Sequence, residues 1–205
     1  MSAIFMSVPR ALHFAYLIQA YVNAPESVMA RIMRWHVEDC DVWEPRKART
    51  VDFSGLNGLE IRAECAGIRA HVVRVLQPLE CAVIQARYGL TDYVDVDGVR
   101  RYFFDKERAN AFRVLGNWAG TFYPELMPTD EDKPRPLDFI VGRHFADKHR
   151  TPITLRWLAD AFGRNHTFYR RIANRLEEKL ILIENRALDG LDEVMTAEQH
   201  GHSLT

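Results

Sequence analysis

Between Asn165 and Arg175 the chain gathers Asn165, His166, Thr167, Arg170, Arg171, Asn174 and Arg175, side chains that can meet the phosphates and base edges of a nucleic acid. An arginine offers guanine or a phosphate two parallel donors, an asparagine does the same for adenine, and threonine or histidine reaches phosphate or base. Spacing matters as much as type. At 3.6 residues per turn, 166, 167, 170, 171, 174 and 175 fall toward one side of a helix, while Tyr169, Ile172 and Leu176 fall toward the other. Arg170 and Arg171 have no acid three or four residues away on that helix, whereas Glu178 lies three beyond Arg175 and can pair with it. The bland alternative for such a face is a solvated, ion-paired surface.

A shape that would present these residues is written in Leu155-Arg-Trp-Leu-Ala-Asp-Ala-Phe-Gly-Arg-Asn-His-Thr-Phe-Tyr-Arg-Arg-Ile172. A helix-turn-helix needs a short support helix, a tight turn and a second helix able to enter the major groove. Leu155, Leu158 and Phe162 supply the inward face of the first helix, and Ala159 is small where the second helix must cross. Gly163 suits a positive backbone angle at the turn. Asn165 or Thr167 can cap the next helix, whose Tyr169 and Ile172 return to the same core. The pattern then continues through Leu176, Leu180, Leu182 and Ile183 to Leu188, with Gly190 as the expected end. That later apolar run fits core packing or contact with a second copy.

Charge is placed accordingly. The 205 residues carry a net charge of −1, too little positive charge for a protein that coats nucleic acid over its whole surface. From Arg143 to Arg186, however, ten Lys/Arg face five acids, and from residue 187 on there are four acids and no Lys or Arg. With 47% hydrophobic and 27% charged residues the composition is that of a globular protein. The apolar stretch Ala11 to Val22 is too short to span a bilayer and holds His13, Tyr16, Gln19 and Tyr21, so neither a membrane span nor a cleaved signal is expected, and a cytoplasmic location is. Cys40, Cys65 and Cys81 are odd in number and widely spaced, which argues against a disulfide framework or a zinc site.

Elsewhere the periodicity is helical, predicting an all-α, multi-helix fold with a C-terminal helix-turn-helix and one short β-hairpin near 93–103. Helices are expected over 9–22 and 25–38, followed by a loop over 39–58 that contains Arg46, Lys47 and Arg49. Others are expected over 59–76, over 79–88 with Gly89 as cap, from an Asp105 cap to about Tyr123, and over 137–148, with a break at 150–152. Met127 to Pro136, with three prolines and mixed charges, reads as a linker. The expected divisions are 1–58, a helical pair and loop; 59–126, a central helical region; 137–190, the helix-turn-helix region; and 191–205, a disordered tail.

Two stretches resemble the fourth region of bacterial sigma factors. Leu76-Gln-Pro-Leu-Glu-Cys-Ala-Val-Ile-Gln-Ala-Arg-Tyr-Gly89 is similar to its first part, and Thr154 to Leu188, with Thr-Leu-x-x-Leu-Ala-x-x-Phe-Gly, is similar to its second. In sigma factors the two parts follow almost directly; here about sixty residues intervene. In size and in this motif the chain is similar to the antitermination proteins of lambdoid phages. The resemblance implies binding of double-stranded DNA near a promoter and contact with RNA polymerase, and suggests that the DNA-binding unit is assembled from two distant stretches of chain.

Two other classes compete. An enzyme would need a catalytic frame, and His-Glu-x-x-His, Gly-x-x-x-x-Gly-Lys and Gly-x-Ser-x-Gly are all missing from the sequence. No catalytic residue, metal or cofactor is therefore expected, although His144, Asp147 and His149 lie close enough in sequence to be weighed as ligands. The other competitor is a helical module that binds a protein partner, or a simple repressor or activator without polymerase contact. A homodimer is compatible with each.

Overall fold

The computed structural model describes residues 4–5, 7–19, 51–52, 56–96, 99–128, 130, 133–146 and 153–201. They form a predominantly helical fold in two compact units, Met1–Val75 with Leu188–Thr205, and Leu76–Ala187. The expected helix over 25–38, the basic residues Arg46, Lys47 and Arg49, Cys40, and the break at 150–152 lie outside the described residues.

In the first unit, α1 (Val8–Gln19) packs on α2 (Gly58–Val75). Asn57 begins α2 with a reciprocal cap: its side-chain oxygen accepts the Leu59 and Glu60 N–H groups at 2.9 and 3.0 Å, and Glu60 accepts the Asn57 N–H at 2.7 Å. Ile61 and Cys65, four residues apart, then bury against Phe14, Ala15 and Ile18 of α1. This contact corrects the expected division at residue 59. The stripe that made 59–76 recognisable as a helix is satisfied by α1, so the boundary falls at Leu76. Two-residue strands β1 (Ile4–Phe5) and β2 (Val51–Asp52) pair antiparallel, β2 within the stretch expected to be loop, too briefly to leave a periodic signal.

The second unit begins with α3 (Pro78–Tyr88), which has proline in its first turn and the Glu80 carboxylate accepting the Gln77 N–H at 3.1 Å. A hairpin of β3 (Thr91–Val96) and β4 (Val99–Phe104) follows, with Val96 opposite Val99. It is longer than the sequence suggested, and its Asp97-Gly98 connection lies outside the described residues. Asp105 caps α4 (Lys106–Gly120), accepting the Arg108 N–H at 3.1 Å. A short 3-10 turn over Pro124–Leu126 leads to α5 (Pro136–Phe145), then α6 (Leu155–Phe162) and α7 (His166–Gly201).

Met127 to Pro136 is an internal connection and not a linker between domains. Leu126 is buried in the core, Met127 lies so close to Gly120 that a Cβ there would come within 2.6 Å of its sulfur, and Arg135 bonds Asn117. Likewise Gly190 does not end the last helix, and residues 191–201 continue it; glycine weakens a helix interior by about 1 kcal/mol but does not forbid it, and Leu191 is buried.

One buried cluster unites the second unit. It takes Ala82, Val83 and Ala86 from α3, Leu115 from α4, Ile140 from α5, Leu158 from α6, and Tyr169 and Leu176 from α7, among others. Residues 76–89 and 154–188 thus contribute to one core despite the intervening sequence. Arg108 closes its end. Buried and without a carboxylate bonded to its guanidinium, it donates Nε to the Ala86 carbonyl at 2.9 Å, Nη2 to the Phe145 carbonyl at 3.1 Å and Nη1 to Thr91 Oγ1. Those carbonyls lie in the last turns of α3 and α5, where helices expose unsatisfied acceptors and negative potential. Burial lowers the Arg108 pKa to about 10. Gly89 keeps its backbone in an ordinary extended conformation; it is small because a Cβ would stand 2.9 Å from that of Arg108.

Candidate nucleic-acid interface

The α6–α7 pair is built by local rules. Thr154 Oγ1 accepts the Trp157 N–H at 3.0 Å and starts α6. Gly163 ends it in the left-handed region at φ 77°, and its N–H bonds the Ala159 carbonyl at 2.9 Å. Two residues later Asn165 Oδ1 accepts the Phe168 N–H at 2.8 Å, and α7 begins at His166. Helix, glycine turn and helix thus occupy the predicted positions.

Inward packing fixes the rotation of α7. Tyr169, Ile172, Leu176 and Leu180 are all buried. At ~100° per residue they occupy one side, and the opposite side carries Thr167, Arg170, Arg171 and Asn174, with His166 and Arg175 at its margins. All six are exposed. Asn165 is exposed as well, but its oxygen is committed to the cap, so it positions the helix. On α6, Leu158 is fully buried, while Leu155 and Phe162 are half-buried and Ala159 lies between them on the same side. Leu182, part of the later run that fits core packing or a second copy, faces outward at 69% exposure.

Among the described residues, Arg170, Arg171 and Arg175 enter no ion pair; the Arg175–Glu178 pair allowed by spacing is not formed. Two further cations flank them. Arg156 is exposed on the first turn of α6, and Arg164 is exposed in the turn, its guanidinium 5.5 Å from the Phe168 ring centroid. Neither was singled out from spacing, because a charge in a turn or a short support helix has no periodic signature. They were visible only in the local excess of positive charge.

Three acids of α3 and of the middle of α7 are engaged. Glu184 receives Nε and Nη2 of Arg87, each at 2.7 Å, and Arg87 also lies 4.9 Å from the Phe145 ring centroid. Glu80 receives Arg186 Nε at 2.5 Å. Both pairs tie α3 to the middle of α7, and neither partner was flagged from sequence, since 97 and 106 residues separate them. Glu177 stands 3.9 Å from His144 Nδ1. Among the described residues, Asp160 of α6 and Glu178 of α7 are exposed and form no ion pair, and neither is bonded to an arginine of the outward face.

An aromatic group backs the turn. Trp157, 40% exposed, packs on Phe139 at 5.1 Å and on Phe162 at 6.2 Å between centroids. Asp147 and His149 lie outside the described residues, and among those described no three His, Cys, Asp or Glu side chains are grouped to hold a metal. Burial pushes the Cys65 thiol up to about 12 and raises that of Cys81, which leaves both as unreactive thiols at neutral pH. No helix of the described residues is long and apolar enough to cross a membrane. No protein-family model matches this chain, and a search of curated proteins finds no match.

Proposed function

We propose that this chain is a non-enzymatic, sequence-specific DNA-binding regulator of transcription, with the first three turns of α7 lying in the major groove. The observation that carries the reading is the outward, unpaired trio Arg170, Arg171 and Arg175, set beside Asn174 and Thr167 directly after a capped glycine turn. A structural surface would be expected to pair such a group locally, as Arg87 is paired with Glu184. In this reading Arg170, Arg171 and Asn174 read base edges, and His166, Thr167, Arg175, Arg156 and Arg164 hold phosphates.

The likeness of 76–89 and 154–188 to the fourth region of sigma factors supports a finer version, in which the DNA is promoter-proximal and RNA polymerase is the protein partner, as for a phage-type antiterminator or late gene regulator. The shared core of α3 and α7 favours that version over an isolated helix-turn-helix. The test is selection of bound duplexes from a randomised pool by the full-length chain, followed by sequencing. Enrichment of a motif holding one or more guanines is expected. A pool that stays unenriched while the protein remains folded overturns the reading in favour of a protein-interaction module.

A further inference from the structure

We infer that the outward face of α7 also docks a second copy of the chain, antiparallel and centred on Leu182. The docked copy covers arginines assigned above to DNA; that part of the inference rests on the DNA reading.

Three of the six exposed large hydrophobics among the described residues, Leu182, Ile181 and Phe122, cluster here. Lys179 Nζ sits 4.5 Å above the Phe122 ring, and Leu182 is one turn further along the helix. Leu182 also belongs to a longer series. Arg171, Arg175, Glu178, Leu182, Asn185 and Asp189 are spaced alternately by four and three residues, and every one is exposed. That spacing keeps the six along one line of the helix, as facing positions of paired helices are, with Leu182 its one apolar member and charge at most of the others.

Charge selects the orientation. Arg175 lies seven residues before Leu182 and Asp189 seven after; Arg171 lies eleven before and Glu193 eleven after; Glu178 lies four before and Arg186 four after. Reversing one helix about Leu182 therefore sets each of these charges opposite its counter-charge, with leucine against leucine at the two-fold axis. A parallel pairing in register would set each charge opposite itself. The contact is isologous, so it closes at two copies. Arg186 can take part although its Nε bonds Glu80, because its side chain is 66% exposed.

With few apolar residues and many exposed charges, the interface belongs to the weak, salt-sensitive class. Arg171 and Arg175 cannot serve Glu193 and Asp189 of a second copy and a DNA duplex at once. The acidic end of one copy's α7 then occupies the place of the phosphates, and self-association lowers the concentration of binding-competent protein.

Sedimentation velocity of the full chain over a range of concentrations, at low and high salt, tests the contact without DNA. A monomer–dimer equilibrium that weakens with salt is expected. Leu182→Glu should weaken it by about tenfold or more, as should Arg175→Glu and Asp189→Arg singly, and the combined R175E/D189R swap should restore it. A protein that stays monomeric throughout, a dimer indifferent to L182E, or a double swap no stronger than either single change would overturn the inference. The masking is tested separately by fluorescence anisotropy with duplex DNA. L182E should bind with a higher apparent affinity than the wild type at concentrations where the latter is dimeric. Equal affinities overturn the masking alone, and absence of DNA binding in both proteins overturns the proposed function while leaving the sedimentation result in force.

Discussion

Arg87 and Glu184 form a two-point ion pair, with two guanidinium nitrogens each 2.7 Å from one carboxylate oxygen, that joins α3 to α7 across 97 residues of sequence. Glu184 is 14% exposed and Arg87 33%, so part of the attraction is screened by water but the geometry is the favourable bidentate one. Replacing either residue by alanine is expected to cost about 1–2 kcal/mol of stability, and a double-mutant cycle in urea should return a coupling of about 1 kcal/mol. A coupling indistinguishable from zero would mean that hydrophobic contacts alone hold α3 against α7.

Arg108 offers a sharper case, since its guanidinium is buried against two helix ends. Arg108→Met keeps much of the bulk but leaves the Ala86 and Phe145 carbonyls without this donor. A loss of about 2–4 kcal/mol is expected by chemical denaturation. A variant as stable as the wild type would show that those carbonyls find other partners.

Asp138 is expected to give the fold a pH dependence. One of its oxygens is buried without a hydrogen-bond partner among the described residues, and the other lies 3.5 Å from Arg135 Nε. Burial, opposed by Arg135 and Arg113, raises its pKa from 3.8 to about 6. The folded-state value therefore exceeds the unfolded one. Its contribution is fully present below 3.8 and is lost as pH rises through about 6, because the folded chain then must hold a buried charge. Asp138→Asn should be more stable than the wild type by about 1–2 kcal/mol at pH 7–8, an advantage that vanishes near pH 4. Thermal melts across that range check it; parallel pH profiles for the two proteins would refute it.

Gly163 was legible in the sequence because its requirement is local: a left-handed residue between two helices must usually be glycine. At φ 77° and with no atom within 4 Å of where a Cβ would stand, Gly163→Ala carries only a conformational penalty. A loss of about 1 kcal/mol is expected, and less for Gly163→Asn. Equal stability of all three proteins would remove the turn's claim to constrain the helix pair.

The same locality explains what could be read and what could not. Thr154, Asn165 and Asp105 act as caps over three residues, and of these Asn165 and Asp105 were recognisable as capable of capping from the sequence around them. Tyr169 and Ile172 were assigned inward by period alone, and the six remaining members of the predicted face were placed outward by the same reasoning. Arg108, Glu80 and Arg87 have partners distant in the chain, where periodicity carries no information. The division at Leu76 was not legible, and 59 was expected instead, for a related reason: a stripe such as Ile61 and Cys65 shows that a helix has an apolar partner, but not which one. Leu182 belongs to the same apolar run as Leu180 and Ile183, for which the sequence left core packing and a second copy both open, and ~100° per residue turns it away from those two residues.

The central claim, that the outward arginines of α7 engage DNA, is tested most directly by measuring how duplex affinity depends on salt for the wild type and for Arg170→Ala/Arg171→Ala, by fluorescence anisotropy on a duplex recovered by selection. Each lost arginine contact should cost about 1–3 kcal/mol, so the double variant should bind at least about tenfold more weakly. Arg175→Ala, at a residue assigned to a phosphate, should in addition make the slope of log affinity against log salt shallower by about 1. Unchanged affinity and an unchanged slope in a variant that is still folded would contradict the account.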